Sequence, residues 1–385
     1  MIHRSPLARP LPSRFCTSRF FSTGRFALAA TLVCFAGSLS PVVHAESGES
    51  SAAGRGSGSS FQVTSEGEGD EARWNILAGD QVIATYHANL KETPAIYPLR
   101  TLKGLAVTRD FPMKKAGPWE RKDHDHHRSL WFTHGLVNGV DFWLDDGKPH
   151  MGTIVHRDAA TETTSDGVTL RTENDWLDAD GDRVMKDQRI VRFHQSGDEL
   201  VVDFGVRLIA SDGPVVMGDT KEGTFAVRVG GSMKVDAGLG GQITNAEGKT
   251  NADAWSEASD WVDYSGPVLQ ERGDDVDSSK APVAGVTILA HPKNDAAPTR
   301  WHVRDYGLFG ANPFGRHHFG LEKYDGVEIP AGESLSLHYR VIVHDGGLDV
   351  KETEQRFRRY AETLPEPLSP PVTKALRPSG LPEPR

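Results

Sequence analysis

Three stretches of this chain alternate apolar with polar or small residues at a period of two, and that pattern confines it to half-buried strands. Leu200, Val202, Phe204, Val206 and Leu208 form one; Phe225, Val227 and Val229 a second; Leu335, Leu337, Tyr339, Val341 and Val343 a third. A period of two puts alternate side chains on opposite faces, which suits an antiparallel sheet with one face inward. Shorter runs at Trp74–Leu77, Val82–Tyr86, Gly167–Arg171 and Val286–Ala290 repeat the signal. Asp146-Gly147, Asp166-Gly167, Asp180-Gly181, Ser196-Gly197 and Asp325-Gly326 read as turns between strands. Only Val350–Thr363 reads as a helix, short and amphipathic. The expected fold is all-β: a large antiparallel β-sandwich of two stacked sheets with one short C-terminal helix. A closed barrel is the other architecture this pattern allows.

The ends of the chain differ in composition from the middle. Residues 1–45 carry Arg4, Arg9, Arg14, Arg19 and Arg25 without one acidic residue. An apolar run from Phe26 to Leu39 follows, then Val43-His44-Ala45. This is the pattern of a secretory signal peptide. Its apolar run is short for a membrane span, which needs roughly 20 residues; an uncleaved anchor is the other reading. Residues 46–60 are a Gly/Ser-rich linker, 61–363 one β-sandwich domain, and 364–385 a proline-rich disordered tail. The expected location is outside the cytoplasm: periplasm, cell surface or secreted.

Losing the leader takes five positive charges and shifts the formal net charge from −10 to −15. Nucleic acid and anionic membranes select basic surfaces, so neither is an expected partner. Cys16 and Cys34 are the only cysteines, and both lie in the leader. The remaining chain has no disulfide, no thiolate metal site and no cysteine nucleophile. No later stretch is apolar enough to cross a bilayer, and nothing indicates an obligate protein partner.

Six of the sixteen histidines fall within residues 124–156. The window opens DHDHHR at Asp123 and contains Trp131, His134, Asn138 and Asp141. Histidine titrates near neutral pH and is also the commonest metal ligand. In an extended backbone His124 and His126 share a face and His127 opposes them. General acid/base work on a polar substrate is one reading. A divalent metal held by His124, His126 and His134 is another, although the spacing matches no rigid motif and no cofactor is expected. Two further segments are candidates. Met217–Phe225 carries Asp219, Lys221 and Glu222 between glycines at a strand start, with Glu222 as candidate base or nucleophile. Trp301–His318 places His302, Arg304 and Tyr306 on one face if extended, and also holds Asn312 and His317. Arg forks onto carboxylates, and aromatic faces stack on sugar rings. Tyr97, Arg100 and the VTRDFP segment at Val107 are a weaker fourth group, expected to line the same cleft. No phosphate loop, dinucleotide fingerprint or Gly-x-Ser-x-Gly elbow is present, which argues against the common NTPases, nicotinamide enzymes and serine hydrolases.

These segments resemble a DUF6807-type family of exported bacterial domains of unknown function that carries the label PmoA-like. The resemblance rests on YPLR at Tyr97, VTRDFP at Val107, DHDHHRSLWFTHGLVNGVDFW at Asp123, GDTKEGTFAVRV at Gly218, WVDYSGP at Trp261 and WHVRDYGLFGANPFG at Trp301, and it spans about Phe61 to Asp345. Asp125 departs from it, where proline is expected. The label names a methane monooxygenase subunit, a membrane-bound helical protein, and this chain has neither property. The resemblance instead implies a galactose-mutarotase-like supersandwich, a fold-level analogy.

The expected function is an exported carbohydrate-active enzyme. It would act on a glycoside, uronate or free sugar by hydrolysis, elimination or epimerisation. Glu222, His126, His302 and His134 are the catalytic candidates. Arg304, Lys221, Asp219, Tyr97, Arg100, Trp131, Asn138, Asp141, Asn312 and His317 are the substrate-binding candidates. A non-catalytic cell-surface sugar-binding protein and a His-ligated metal enzyme are the alternatives.

Overall fold

A computed structural model describes residues 60–363 except 145–147, 149 and 272–276, together with Pro365 and Leu368. The leader, the linker apart from Ser60, and the tail apart from Pro365 and Leu368 lie outside these residues. In chain order the strands are β1 (Phe61–Glu66), β2 (Arg73–Ala78), β3 (Gln81–His87), β4 (Ala95–Leu99), β5 (Leu130–His134) and β6 (Thr153–Thr164). Then come β7 (Gly167–Leu177), β8 (Arg183–Ser196), β9 (Glu199–Ile209), β10 (Val215–Met217), β11 (Gly223–Arg228) and β12 (Gln242–Asn245). The last are β13 (Trp261–Pro267), β14 (Val283–Ala290), β15 (Arg300–Val303), β16 (Leu308–Asn312), β17 (Val327–Ile329) and β18 (Ser334–Asp345), before helix α1 (Val350–Glu362).

They form two eight-stranded antiparallel sheets, and neither closes into a barrel. One runs β1-β2-β3-β4-β5-β11-β16-β15, the other β12-β13-β14-β18-β9-β8-β7-β6, with β10 and β17 a separate pair. The fold is therefore the expected all-β antiparallel sandwich with a single C-terminal helix. β6 to β9 form a meander; at its last turn Gly197 takes a φ of +61°, the left-handed region where a Cβ is disfavoured.

Alternation decides what each face of β5 and β11 meets. Phe132 and Phe225 point inward. Phe132 stacks on Phe204 of β9 at 6.0 Å, Phe204 on Phe225 at 4.5 Å, and Phe225 on Tyr339 of β18 at 4.9 Å. This aromatic column joins the two sheets. The far face of the second sheet is covered by α1, where Tyr360 packs with Trp261, Leu289 and Ile342. Asp349 caps the helix by accepting from the Glu352 N–H at 3.0 Å, and Trp261 Nε1 donates to Glu354 at 3.0 Å. The outer face of the first sheet carries Ala95, Trp131, Ala226 and Leu308, with Trp143 packed against them. Loops rather than a helix cover that floor, and the candidate site lies among them. Among the described residues no helix is long and apolar enough to cross a membrane.

Truncation of the column's central ring tests its weight. Phe225→Ala should lower the unfolding free energy by about 3–5 kcal/mol, read by urea denaturation, because the cavity lies where two sheets meet and neither can close over it.

Candidate functional site

The histidine window is held down by charge. Asp123 Oδ1 accepts from Arg109 Nη1 and from Arg228 Nη2, both at 3.1 Å. Arg228 ends β11, and the bridge between Thr108 and Val229 clips the Arg109 segment beside it. Arg109 also donates to the carbonyls of Asp123, at 3.0 Å, and of His124. Both guanidiniums are buried. Burial, with Arg228 close by, pushes Arg109 down to about 10, and burial lowers Arg228 as well. Burial works against ionised Asp123, yet Arg228, His124 and Arg109 hold its carboxyl below the ordinary range.

The backbone here is not extended. The His127 N–H donates to the His124 carbonyl at 3.0 Å, closing a turn with Asp125 and His126 at its centre. His127 therefore joins the other two instead of opposing them. Ring centroids lie 4.8 Å apart for His124 and His127, 4.5 Å for His126 and His127, and 5.6 Å for His124 and His126. His124 sits at a φ of +46°, a strained position for a residue with a Cβ, steadied by the Arg109 bonds on either side. Tyr306 stacks on His124 at 5.2 Å, and His127 on Trp131 at 5.4 Å, so four rings run from the cleft rim to its floor. Arg228 lies over Tyr306 at 4.5 Å, and its Nη1 donates to His127 Nδ1 at 2.8 Å. A guanidinium can only donate, so the hydrogen of the neutral His127 ring sits on Nε2.

The opposite wall comes from the start of β11 and the end of β15. Lys221 and Glu222 form an ion pair. His302 Nδ1 donates to the Lys221 carbonyl at 2.8 Å, and Glu222 Oε2 lies 3.8 Å from the same nitrogen. The carbonyl can only accept, which fixes this ring as the Nδ1–H tautomer and leaves the lone pair on Nε2. Burial, then Lys221 and Arg304, push His302 down to about 3; burial and Arg128 do the same to His126. Burial also raises the Tyr306 hydroxyl. Trp255 spaces this wall: His302 meets its ring edge-on at 4.9 Å, and the Arg304 guanidinium lies 3.8 Å above it.

The two walls enclose a cleft of about 410 Å³. His124, His126, His127, Tyr306 and Leu144 line one side; Lys221, Glu222, His302, Arg304 and Asp305 line the other. Three of the four residues named as catalytic thus share one cavity with Arg304 and Lys221. A neutral base, a protonated phenol, a carboxylate and a guanidinium around one volume can move protons on a bound polar molecule.

Most of the other named residues hold backbone. His134 Nε2 donates to the Gly218 carbonyl at 2.8 Å, and its Nδ1 lies 3.4 Å from Thr224 Oγ1; burial pushes it down to about 4. Asp219 accepts from the N–H groups of Arg316 and His317 at 2.6 and 3.0 Å, so Asp219 and His317 form a loop clasp. Asn312 donates to the Thr220 carbonyl and accepts from Phe314 and Gly315. Asn138 joins Pro214 and Val216, and Asp141 accepts from Trp143 and Leu144, which seats Leu144 in the cleft wall. Tyr97 donates to Asp110 at 2.5 Å and Arg100 to the Gly104 carbonyl at 3.1 Å, and neither lines the cleft. Trp131 is floor, beneath His127. Among the described residues no three or more His, Cys, Asp or Glu are grouped to hold a metal, and the set His124, His126 and His134 is divided because the His134 ring is occupied elsewhere.

Arg228 and Trp255 were not singled out from the sequence; Asp123 and Arg109 were, as an orienter of imidazoles and as part of the VTRDFP group, but not as partners of each other. Arg228 left a signal: it is the lone charge in the apolar alternation of FAVRV.

Two measurements check this electrostatic arrangement. The folded pKa values of His134, His126 and His302 lie below the ordinary 6.5. The unfolded chain therefore binds more protons than the folded one between pH 6.5 and about 4, and stability falls as pH drops through that window. Each buried imidazole contributes up to about 1.4 kcal/mol per pH unit there. Denaturation between pH 7 and 5 should show this fall, and His134→Asn should flatten it. Asp123→Asn leaves two buried guanidiniums without their carboxylate and should cost about 3 kcal/mol or more, read by the same method.

No curated protein matches the chain in sequence. Among solved structures, a variant of a glycoside hydrolase family 97 enzyme from Pseudoalteromonas sp. strain K8 is similar with a TM-score of 0.28 and 10% identity, over 74% of this chain and 34% of that one. That enzyme in complex with acarbose gives 0.29 and 9% over the same shares. The Slr1438 protein from Synechocystis sp. PCC 6803 gives 0.30 and 9%, over 76% of this chain and 99% of that one. This chain thus spans about a third of the glycoside hydrolase, and likeness at this level carries nothing about activity. The model of a family of unknown function, DUF6807, matches residues 73–358, and nothing in it supports the label PmoA-like. That match covers most of the β-sandwich, the candidate cleft included, and the chain belongs to the DUF6807 family.

Proposed function

We propose that this protein is an exported carbohydrate-active enzyme that moves protons on a sugar-type substrate in the cleft between the histidine loop and the β15 wall. One observation carries the reading: two neutral imidazoles, His126 and His302, line the same cavity as Glu222, Arg304 and Tyr306. His302 is the base, through Nε2. Lys221 takes its Nδ1–H, and Glu222 at 3.8 Å offsets the charge that forms when Nε2 accepts a proton. Glu222 is itself ion-paired to Lys221, so it serves as a positioning carboxylate in this reading, not as the nucleophile. Tyr306, held protonated by burial, stands on the other wall as the proton donor, with the neutral His126 beside it as a hydrogen-bonding group.

The purified protein screened against oligosaccharides, uronates and 3-keto-sugars should turn over at least one class. His302→Ala should lower kcat by about 10²–10⁴-fold with the fold intact. Glu222→Gln should lower it less and shift the acid limb of the pH profile. Saturable sugar binding without turnover on any class would overturn the enzyme reading in favour of a sugar-binding protein.

A further inference from the structure

We propose that the cleft is built for a substrate carrying a carboxylate, that Arg304 receives that group, and that the reaction is β-elimination from a uronate; this rests on the acid/base reading above. Three other cations of the site each have a carboxylate partner. Lys221 is tied to Glu222, and Arg109 and Arg228 share Asp123. Arg304 is the exception: among the described residues it has no carboxylate within ion-pair distance. Its guanidinium is laid flat on Trp255 at 3.8 Å. Stacking occupies the face of the guanidinium and leaves its N–H edge, which matches the two oxygens of a carboxylate. The backbone beneath is fixed: the Arg304 N–H donates to the Leu308 carbonyl at 2.8 Å, and the Tyr264 hydroxyl donates to the Arg304 carbonyl at 3.2 Å. Asp305 follows directly, but it is exposed and its charge is screened by water. Behind the opposite wall two buried guanidiniums share one carboxylate, an excess positive charge that water screens poorly. A neutral sugar gains nothing from either feature.

His302 and Arg304 touch the same Trp255 ring, so a carboxylate on Arg304 brings its neighbouring carbon to the imidazole. His302 Nε2 takes the proton α to the carboxylate, and the electron pair of the broken C–H bond passes into an enediolate held by Arg304. That pair then forms the C=C bond and expels the oxygen on the β-carbon. Tyr306 protonates the departing alcohol, and the proton on His302 returns to the phenolate through solvent. The sum is one unsaturated uronate and one alcohol, with no oxidant or reductant. The substrate also strengthens its own base. Burial holds His302 down to about 3 in the free protein, and Lys221 and Arg304 add to it. A carboxylate against Arg304 offsets the Arg304 charge and so raises the imidazole.

Calorimetry with methyl glucuronide and methyl glucoside on the wild-type protein tests recognition without chemistry. The glucuronide should bind about 10–100-fold more tightly, the effect of a charge-assisted hydrogen-bonded pair, and Arg304→Ala should abolish the difference. Equal binding of the two, or a preference that survives Arg304→Ala, overturns the proposal. Oligouronates should then yield a product with the ultraviolet absorbance of an unsaturated uronate, with kcat/KM lowered at least as much in Arg304→Ala. Turnover of neutral glycosides without preference for uronates overturns the carboxylate site and leaves the acid/base reading standing. Uronate-selective binding without turnover supports the carboxylate site, while overturning the elimination and the acid/base reading together.

Discussion

One carboxylate shared by two buried guanidiniums sets the geometry of the candidate site. Asp123 bridges Arg109 and Arg228, and without it neither arginine could remain inside the outer layer of the first sheet. Bringing a guanidinium out of water costs several kcal/mol even after relaxation, and a single carboxylate cannot offset two. The carbonyls of Asp123 and His124 supply the rest, as dipoles aimed at Arg109. The loop and its arginines therefore have to dock together. The His124–His127 turn, the stacked rings and the cleft wall follow from that docking. So does the protonation state: an imidazole packed against buried guanidiniums is held neutral, as the strong lowering of His127 by burial, His126 and the two arginines shows.

The sandwich was legible wherever a strand is apolar on one face only. β9 and β18 are long alternating runs of this kind, the shorter β11 alternates in type although all six of its residues are buried, and α1 ends one residue before the expected Thr363. β8 was not legible, although it spans fourteen residues. Its inward positions are Met185, Asp187, Arg189, Val191 and Phe193, so two charges sit in the middle of the core pattern. β5 and β16 fail for the opposite reason. Every residue of LWFTH and of LFGAN is buried, because loops cover the outer face, and no alternation survives.

The candidate site was legible in residue type more than in role. A rare side chain repeated within a short window marks a place, and His126, Glu222, His302 and Arg304 do meet there. Asp219, Asn138, Asn312, Asp141 and His134 looked equally chemical, yet each is taken up by main-chain N–H or C=O groups of the long loops. A loop that bends over a sheet must satisfy its backbone without a ladder, and polar side chains do that work. Sequence does not separate an Asn that serves the backbone from one that serves a substrate, since both need the same donor and acceptor. Arg228 stayed hidden because its partner lies 105 residues away, and only the sheet brings it to Asp123.

Charge matching separates the polar groups that support this molecule from those that can act. Asp187 and Arg189 are a buried pair of one to one. Asn174 and Trp176 donate to the two remaining carboxylate positions, at 2.6 and 2.7 Å, and the network is closed. Asp263 similarly takes Thr287 and His344, and its nearness raises the His344 imidazole although burial opposes it. Both groups lie within the second sheet, and in each a carboxylate meets one cationic partner. On the outer face of the first sheet two buried guanidiniums meet one carboxylate, and among the described residues Arg304 meets none. A surplus of buried positive charge is unfavourable in the empty protein and becomes favourable once an anion arrives. The imbalance therefore says more about what this face can receive than the count of histidines does.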